Sequence, residues 1–170
     1  LKNDDTTWGM GYNSNCKLGF NRQNNECIPT KSMENIRKIF TGRSDTFFIS
    51  TSGYVYGCGG NFHDELGIHI ENPQTFSPPA LIMTDVKEVF CDSGCSYFLL
   101  NDDSLMVCGY NKNGQLGIGV LGQISTPVNA IKNVKQVCIE HNGDRYMGKA
   151  YFILNDGTVL FAGGNDITAT

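Results

Sequence analysis

Cys91 and Cys95 stand at a spacing that can grip a zinc ion, and His63, His69 and His141 could in principle complete its shell. A closed zinc site needs about four ligands, and no second cysteine pair occurs at comparable spacing. The seven cysteines, Cys16, Cys27, Cys58, Cys91, Cys95, Cys108 and Cys138, therefore read as structural thiols that pack like small hydrophobes. Gly117-Ile118-Gly119-Val120-Leu121-Gly122 fits the Gly-x-Gly-x-x-Gly pattern. Its amides cradle a pyrophosphate only where the glycines join a strand to a helix, and no helical segment follows before Pro127. Serine, histidine and aspartate all occur, yet no serine sits in a nucleophile elbow. The expectation is a chain with no catalytic, cofactor-binding or metal-binding residues, and hence not an enzyme.

Composition narrows the partners. Thirteen Lys and Arg against 17 Asp and Glu give a net charge of -4 in 170 residues, spread along the chain without a basic run. Direct contact with nucleic acid or an anionic membrane is not expected. No apolar stretch approaches the ~18 residues of a membrane span, and the N-terminus does not read as a signal peptide. A hydrophobic content of 40% is enough for a packed core. The odd number of cysteines, with no glycosylation sequon, places the expectation in a reducing compartment, cytoplasmic or nuclear.

The elements that position these residues emerge from an internal repeat. Gly11-Tyr12-Asn13 runs on to Leu18-Gly19, Gly59-Gly60-Asn61 to Leu66-Gly67, and Gly109-Tyr110-Asn111 to Leu116-Gly117, with a further copy opening at Gly163-Gly164-Asn165. The copies lie roughly 50 residues apart, long for helical repeats and natural for a four-stranded propeller blade. Six residues before each first glycine stands a turn residue, Asp5, Gly53, Asp103 or Gly157, suited to a hairpin turn with positive φ. Ahead of the turns come the runs Thr46 to Ile49, Ser96 to Leu99 and Ala150 to Ile153, which read as buried strands. Earlier still, Ile36 to Phe40, Val86 to Phe90 and Val134 to Cys138 bracket a polar pair with apolar residues, giving strands whose polar middle faces water. Pro29, Pro78 or Pro79, and Pro127 mark places where a strand or loop would begin.

With those residues in place, the chain resembles the regulator of chromosome condensation repeat family. Its pattern is Asp-Gly, strand, Gly-x-Asn, Gln-Leu-Gly and a later Pro. Asn111 to Gly117 matches closely, whereas Lys17 and Glu65 replace the glutamine in the other copies. The resemblance implies an all-β fold, a β-propeller segment of four-stranded antiparallel blades, about three blades plus part of a fourth. It would form one partial domain over residues 1–170, with repeat units at about 5–52, 53–102 and 103–156 and a further unit beginning at 157. Family members close a ring of seven blades. The remaining blades would come from a longer chain or a second copy, and open strand edges would invite association.

Departures from the family pattern bear on function. The histidine that the family carries before its aromatic strand is missing from Gly42-Arg43-Ser44-Asp45-Thr46, from Asp92-Ser93-Gly94-Cys95-Ser96, and from the expanded stretch between Glu140 and Lys149. In the founding exchange factor for the small GTPase Ran, loops of this kind face the GTPase. The usual Trp before the first glycine is replaced by Met10, Cys58, Cys108 and Ala162, and the only Trp is Trp8. That excludes the clustered-tryptophan light sensing of the plant ultraviolet receptor, another relative. The expected function is a protein-interaction scaffold whose rim loops meet a protein partner, with Arg43, Ser44, Asp45, Ser93, Gly94, Cys95, His141, Asn142, Asp144, Arg145 and Tyr146 as candidate contacts. The alternatives are exchange on a Ran-like small GTPase, and substrate recruitment for a larger ligase or kinase.

Overall fold

A computed structural model describes residues 1–69, 76–92, 94–140 and 148–164, and every regular element among them is a strand. In chain order these are β1 (Trp8–Gly11), β2 (Glu26–Lys31), β3 (Ile36–Thr41), β4 (Asp45–Ser50), β5 (Tyr54–Gly60), β6 (Phe76–Thr84), β7 (Val86–Asp92), β8 (Cys95–Leu100), β9 (Leu105–Asn111), β10 (Gly122–Ile131), β11 (Val134–Glu140), β12 (Lys149–Leu154) and β13 (Val159–Ala162). They form two complete antiparallel blades, β3 to β6 and β7 to β10. A two-stranded sheet, β1–β2, flanks them on one side and a three-stranded sheet, β11 to β13, on the other. The total matches three blades and a fraction, but the phase differs from that of the sequence repeat. A unit opening at Gly53 supplies β5 and β6 of one blade and then β7 and β8 of the next.

The innermost strands β3, β7 and β11 lie against one another, and their sequence pattern follows from a shared irregularity. Ile36 and Ile39, Val86 and Val89, and Val134 and Val137 are three apart, a spacing that would put them on opposite faces of a regular strand. Each pair brackets a register shift against the next strand, between Ile36 and Lys38, Val86 and Glu88, and Val134 and Gln136. Such a bulge lets one strand turn two polar residues outward together and bring the second apolar residue back to the core. The outward pairs then tie neighbouring blades. Arg37 donates to the Val86 carbonyl at 3.2 Å, and Lys38 donates to the Lys87 carbonyl at 3.0 Å.

The second strands, β4, β8 and β12, carry the interior. Phe47 packs edge-on against Phe98 of the next blade at a ring separation of 5.4 Å, and Tyr97 repeats the step onto Phe152 at 6.1 Å. Leu66 and Leu116, in the turns that follow β5 and β9, are fully buried. Leu66 joins Phe47 and Ile49 of its own blade to Val86 and Phe98 of the next. Leu18, at the same repeat position, is only half-buried, because the β1–β2 sheet lacks the strand that would supply the counterparts of Phe47 and Ile49. The turn residues Asp5, Gly53, Asp103 and Gly157 all adopt positive φ, between 59° and 87°, as their types require.

The prolines sit elsewhere than expected. Pro29, Pro78, Pro79 and Pro127 lie inside β2, β6 and β10, the outermost strand of each sheet. There a missing N–H removes no ladder bond and blunts an open edge.

The asparagine of each repeat has one job, performed three times. Asn13, Asn61 and Asn111 are buried, and their Oδ1 atoms accept from the amides of Leu18, Leu66 and Leu116 at 2.9, 3.0 and 2.8 Å. Their Nδ2 atoms donate to the carbonyls of Arg22, Ile68 and Val120 at 2.7, 3.0 and 2.6 Å. Asn111→Ala strands the buried amide of Leu116, takes the partner from the Val120 carbonyl and is expected to lower stability by about 2 kcal/mol. A urea titration against wild type measures the loss, with an unchanged slope showing that the cooperative unit survives.

Candidate functional site

Antiparallel pairing gathers two sets of loops at one end of the blades. Asp45 is paired with Gly59 and Cys95 with Gly109, so the β3–β4 and β7–β8 loops lie beside the turns that leave β5 and β9. These contacts explain the first glycine of the repeat. The Gly60 amide donates to the Ser44 carbonyl at 2.8 Å, and the Tyr110 amide donates to the Gly94 carbonyl at 2.8 Å. The rim loop therefore lies directly on the backbone of the third strand. A Cβ at Gly59 would collide with the Ser44 carbonyl oxygen and stand 2.7 Å from the Asp45 Cα, and one at Gly109 would collide with the Gly94 carbonyl oxygen. At Gly11, where the sheet has no such loop, a Cβ would meet nothing within 4 Å.

The rim surface is continuous from the second sheet to the third. His63 packs edge-on against Tyr110 at a ring separation of 5.1 Å and lies close over Gly94, where a Cβ would approach its ring to 3.0 Å. The carboxylate of Asp64, held at φ 60°, accepts from Gln123 at 2.7 Å and Ser125 at 2.6 Å across the boundary to the next blade. Between the rim loops and the inner strands runs an open groove lined by Phe40, Arg43, Phe90, Asp92 and Ile139.

Arg43 is exposed, and Ser44 and Gly94 are half-exposed. Asp45 and Cys95, expected among the contacts, are instead buried, at 5% and 4% exposure. They are the first residues of β4 and β8, and the side chains there turn under the loop. Cys95 donates to the Tyr110 carbonyl at 3.0 Å. The carboxyl of Asp45 lies against Gly42, and its pKa is pushed up to about 7 by burial and by the neighbouring charges of Glu65 and Asp92, with the Ser44 amide acting in the opposite direction. Ser93, His141, Asn142, Asp144, Arg145 and Tyr146 lie outside the described residues. Sequence reasoning missed Phe62, which is exposed beside Gly60, together with the half-exposed His63 and Tyr110. The signal was available, because Phe62 occupies the position held by Ser14 and Lys112 in the other copies, where a large apolar side chain has no packing to do.

The buried thiols are quiet. Cys58 and Cys108 are fully buried where the repeat meets the preceding blade. Burial pushes the Cys58 thiol up to about 12 and raises Cys91, Cys95 and Cys108 as well. A raised thiol is a poor nucleophile and a poor metal ligand. Gly117 to Gly122 connect β9 to β10, so the helix that a dinucleotide site requires is replaced by a strand. Among the described residues no group of three His, Cys, Asp or Glu side chains is placed to hold a metal ion.

No protein-family profile matches the chain. Curated relatives do. The chain is 26% identical over 152 residues to the mouse (Mus musculus) RCC1-like G exchanging factor-like protein, a match that covers 74% of this chain and 32% of that protein. It is 28% identical over 116 residues to the human (Homo sapiens) X-linked retinitis pigmentosa GTPase regulator, covering 66% of this chain and 10% of that protein. The chain thus spans about a third of the first relative's length and a tenth of the second's. Among solved structures, human WBSCR16 superposes with a TM-score of 0.75 at 24% identity, over 92% of this chain and 42% of that one. Yeast RCC1 (Prp20), solved with Kap60, superposes with a TM-score of 0.73 at 14% identity, over 92% of this chain and 39% of that one. These likenesses show the fold, a β-propeller of the kind described above.

Proposed function

We propose that this chain, whose repeats are of the regulator of chromosome condensation type, is a non-enzymatic scaffold that holds one propeller rim toward a protein partner. The observation that carries the reading is the clamp between the rim loop and the third strand of the same blade, at the first glycine of the repeat. It fixes the backbone under Arg43, Ser44 and Gly94 through the Ser44 and Gly94 carbonyls, so the side chains above it meet a partner with little ordering left to do. Arg43, Phe62 and Tyr110 combine the cationic and aromatic types that dominate binding hot spots. Ser93, His141, Asn142, Asp144, Arg145 and Tyr146 extend the same proposal from the sequence alone.

A second reading, nucleotide exchange on a small GTPase, draws support from the names of the two relatives, an exchanging factor-like protein and a GTPase regulator. Exchange of that kind needs loops that displace the elements holding nucleotide, and no bond-making residue. Capture of partners by wild type and by the double variant Arg43→Ala, Phe62→Ala tests the rim. A hot-spot side chain contributes about 2 kcal/mol or more, so the expected loss is more than tenfold in affinity. The melting temperature should stay unchanged, because both side chains are exposed. Equal capture by the folded variant would remove this rim from the function. Release of labelled nucleotide from a captured GTPase then separates exchange from simple docking.

A further inference from the structure

The rim loop of the second sheet is built over an acid, and that acid is poorly held. Asp45 opens β4 in the second sheet, which packs against the third through β7. Its carboxyl lies under Gly42, where a Cβ would collide with both oxygens. The Ser44 amide reaches Oδ1 at 3.4 Å, long for a hydrogen bond. The Cys91 thiol of β7, which meets the same carboxyl, is a weak donor. The other titratable groups turned toward it are Glu65 from the turn after β5, Asp92 of β7, and the thiols Cys58 of β5, Cys95 of β8 and Cys108 of β9. All of them are acids. Among the described residues no ion pair involves Asp45, and Arg43 on its own loop is exposed.

Such a place suits the neutral acid and opposes the carboxylate. The loop above it is the part that can yield. It is held down by the Gly42 amide on the Asp45 carbonyl at 3.0 Å and by the Gly60 amide on the Ser44 carbonyl at 2.8 Å. The open groove bordered by Gly42, Arg43, Cys91 and Asp92 runs alongside, so water is at hand for a carboxylate that the loop uncovers. The third sheet has the thiol of Cys95 at this position, and its loop covers no carboxyl of its own.

We propose that loop 42–44 is a proton-operated latch, shut over Asp45 while the carboxyl is neutral and lifted from Gly60 when the carboxyl ionises and takes up water from the groove. Arg43 and Ser44 ride on the latch, so its consequence for a partner rests on the reading of this rim as a docking surface. The latch itself does not depend on that reading. Burial, then the charges of Glu65 and Asp92, raise the closed-state pKa of Asp45 from 3.8 to about 7. The shut loop therefore holds a proton that the lifted loop releases. Its stabilisation is complete below pH 3.8 and is gone once pH has risen through about 7.

Hydrogen exchange on the chain, resolved at single amides and corrected for the intrinsic effect of pH, tests the latch. The Gly60 amide should exchange faster than the buried amides of β4 at every pH, which marks a local opening. Its protection should fall about tenfold per pH unit up to about 7 and level off above that. In Asp45→Asn it should stay level throughout. Glu65→Gln removes one facing charge, so it should move the levelling point to lower pH, and it serves if the first variant fails to fold. Exchange of Gly60 in step with the amides of β4 would overturn the latch, because only unfolding of the blade would then release the loop. A level profile in wild type would overturn it as well. Partner capture over the same pH range keeps the two readings apart, since a responsive latch with level capture supports the latch and removes this loop from the docking surface.

Discussion

Gly109→Ala is expected to destabilise the protein by about 4 kcal/mol, whereas Gly11→Ala at the same repeat position should lose only about 1–3 kcal/mol. Both glycines have φ near 103°, so both variants carry the strain of an alanine in a region that L residues rarely adopt. They differ in what the new Cβ meets. At Gly109 it would run into the Gly94 carbonyl oxygen and lie 3.1 Å from the Cys95 Cα, both of them backbone, and at Gly11 it meets open space. The rim loop of the third sheet can yield only by breaking the bond from the Tyr110 amide and shifting the start of β8, where Cys95 and Tyr97 are buried. Chemical denaturation of the two variants beside wild type measures the difference. Equal losses would mean that backbone strain, and not the rim loop, dictates the glycine.

That comparison marks how far the sequence could be read. The positions of Gly59 and Gly109 were legible as a repeat, and so were the hairpin turns and the aromatic strands, because each recurs with its neighbours in phase. The reason for the glycine was not, since it depends on a carbonyl from a loop some fifteen residues earlier, and spacing does not encode a clash. The inner strands show the same limit. Val86 and Val89 announced an apolar bracket, but the register shift that turns both inward appears only once β8 is paired alongside. At the rim, Arg43 was legible as a charged loop residue. Asp45, two positions on, was read as its equal, because nothing in the local sequence says that the chain has already entered β4 and that every residue of that strand is buried. Phe62 was overlooked for the opposite reason, since a phenylalanine is ordinarily assigned to the core.

Asp45 also links stability to pH. Its carboxyl moves from an ordinary value of 3.8 to about 7 in the folded protein, chiefly by burial and then by the charges of Glu65 and Asp92. The folded state therefore binds the proton more tightly than the unfolded chain does. Stability from this group is fully present below pH 3.8 and is lost progressively as pH rises through about 7, with a total on the order of 4 kcal/mol. The carboxyls with lowered values, Asp102, Asp103 and Asp156 among them, act in the opposite sense and only under more acid conditions. Wild type should be most stable in mildly acid solution and should weaken toward pH 8. Asp45→Asn removes the titrating group, so its stability should stay nearly level over that interval and exceed wild type at the alkaline end. Denaturation at a series of pH values decides the matter. Parallel profiles for the two proteins would mean that the carboxyl titrates in its usual range.

The offset between repeat and blade gives the chain a lapped construction, like planks whose joints are staggered. Residues 53–102 bind two blades covalently as well as by packing, so a whole unit added or lost at that phase would preserve the four-strand count of every interior blade. Growth of the array by duplication at that phase leaves no half-built sheet inside it. The same lap makes each interior sheet hostage to both of its neighbours.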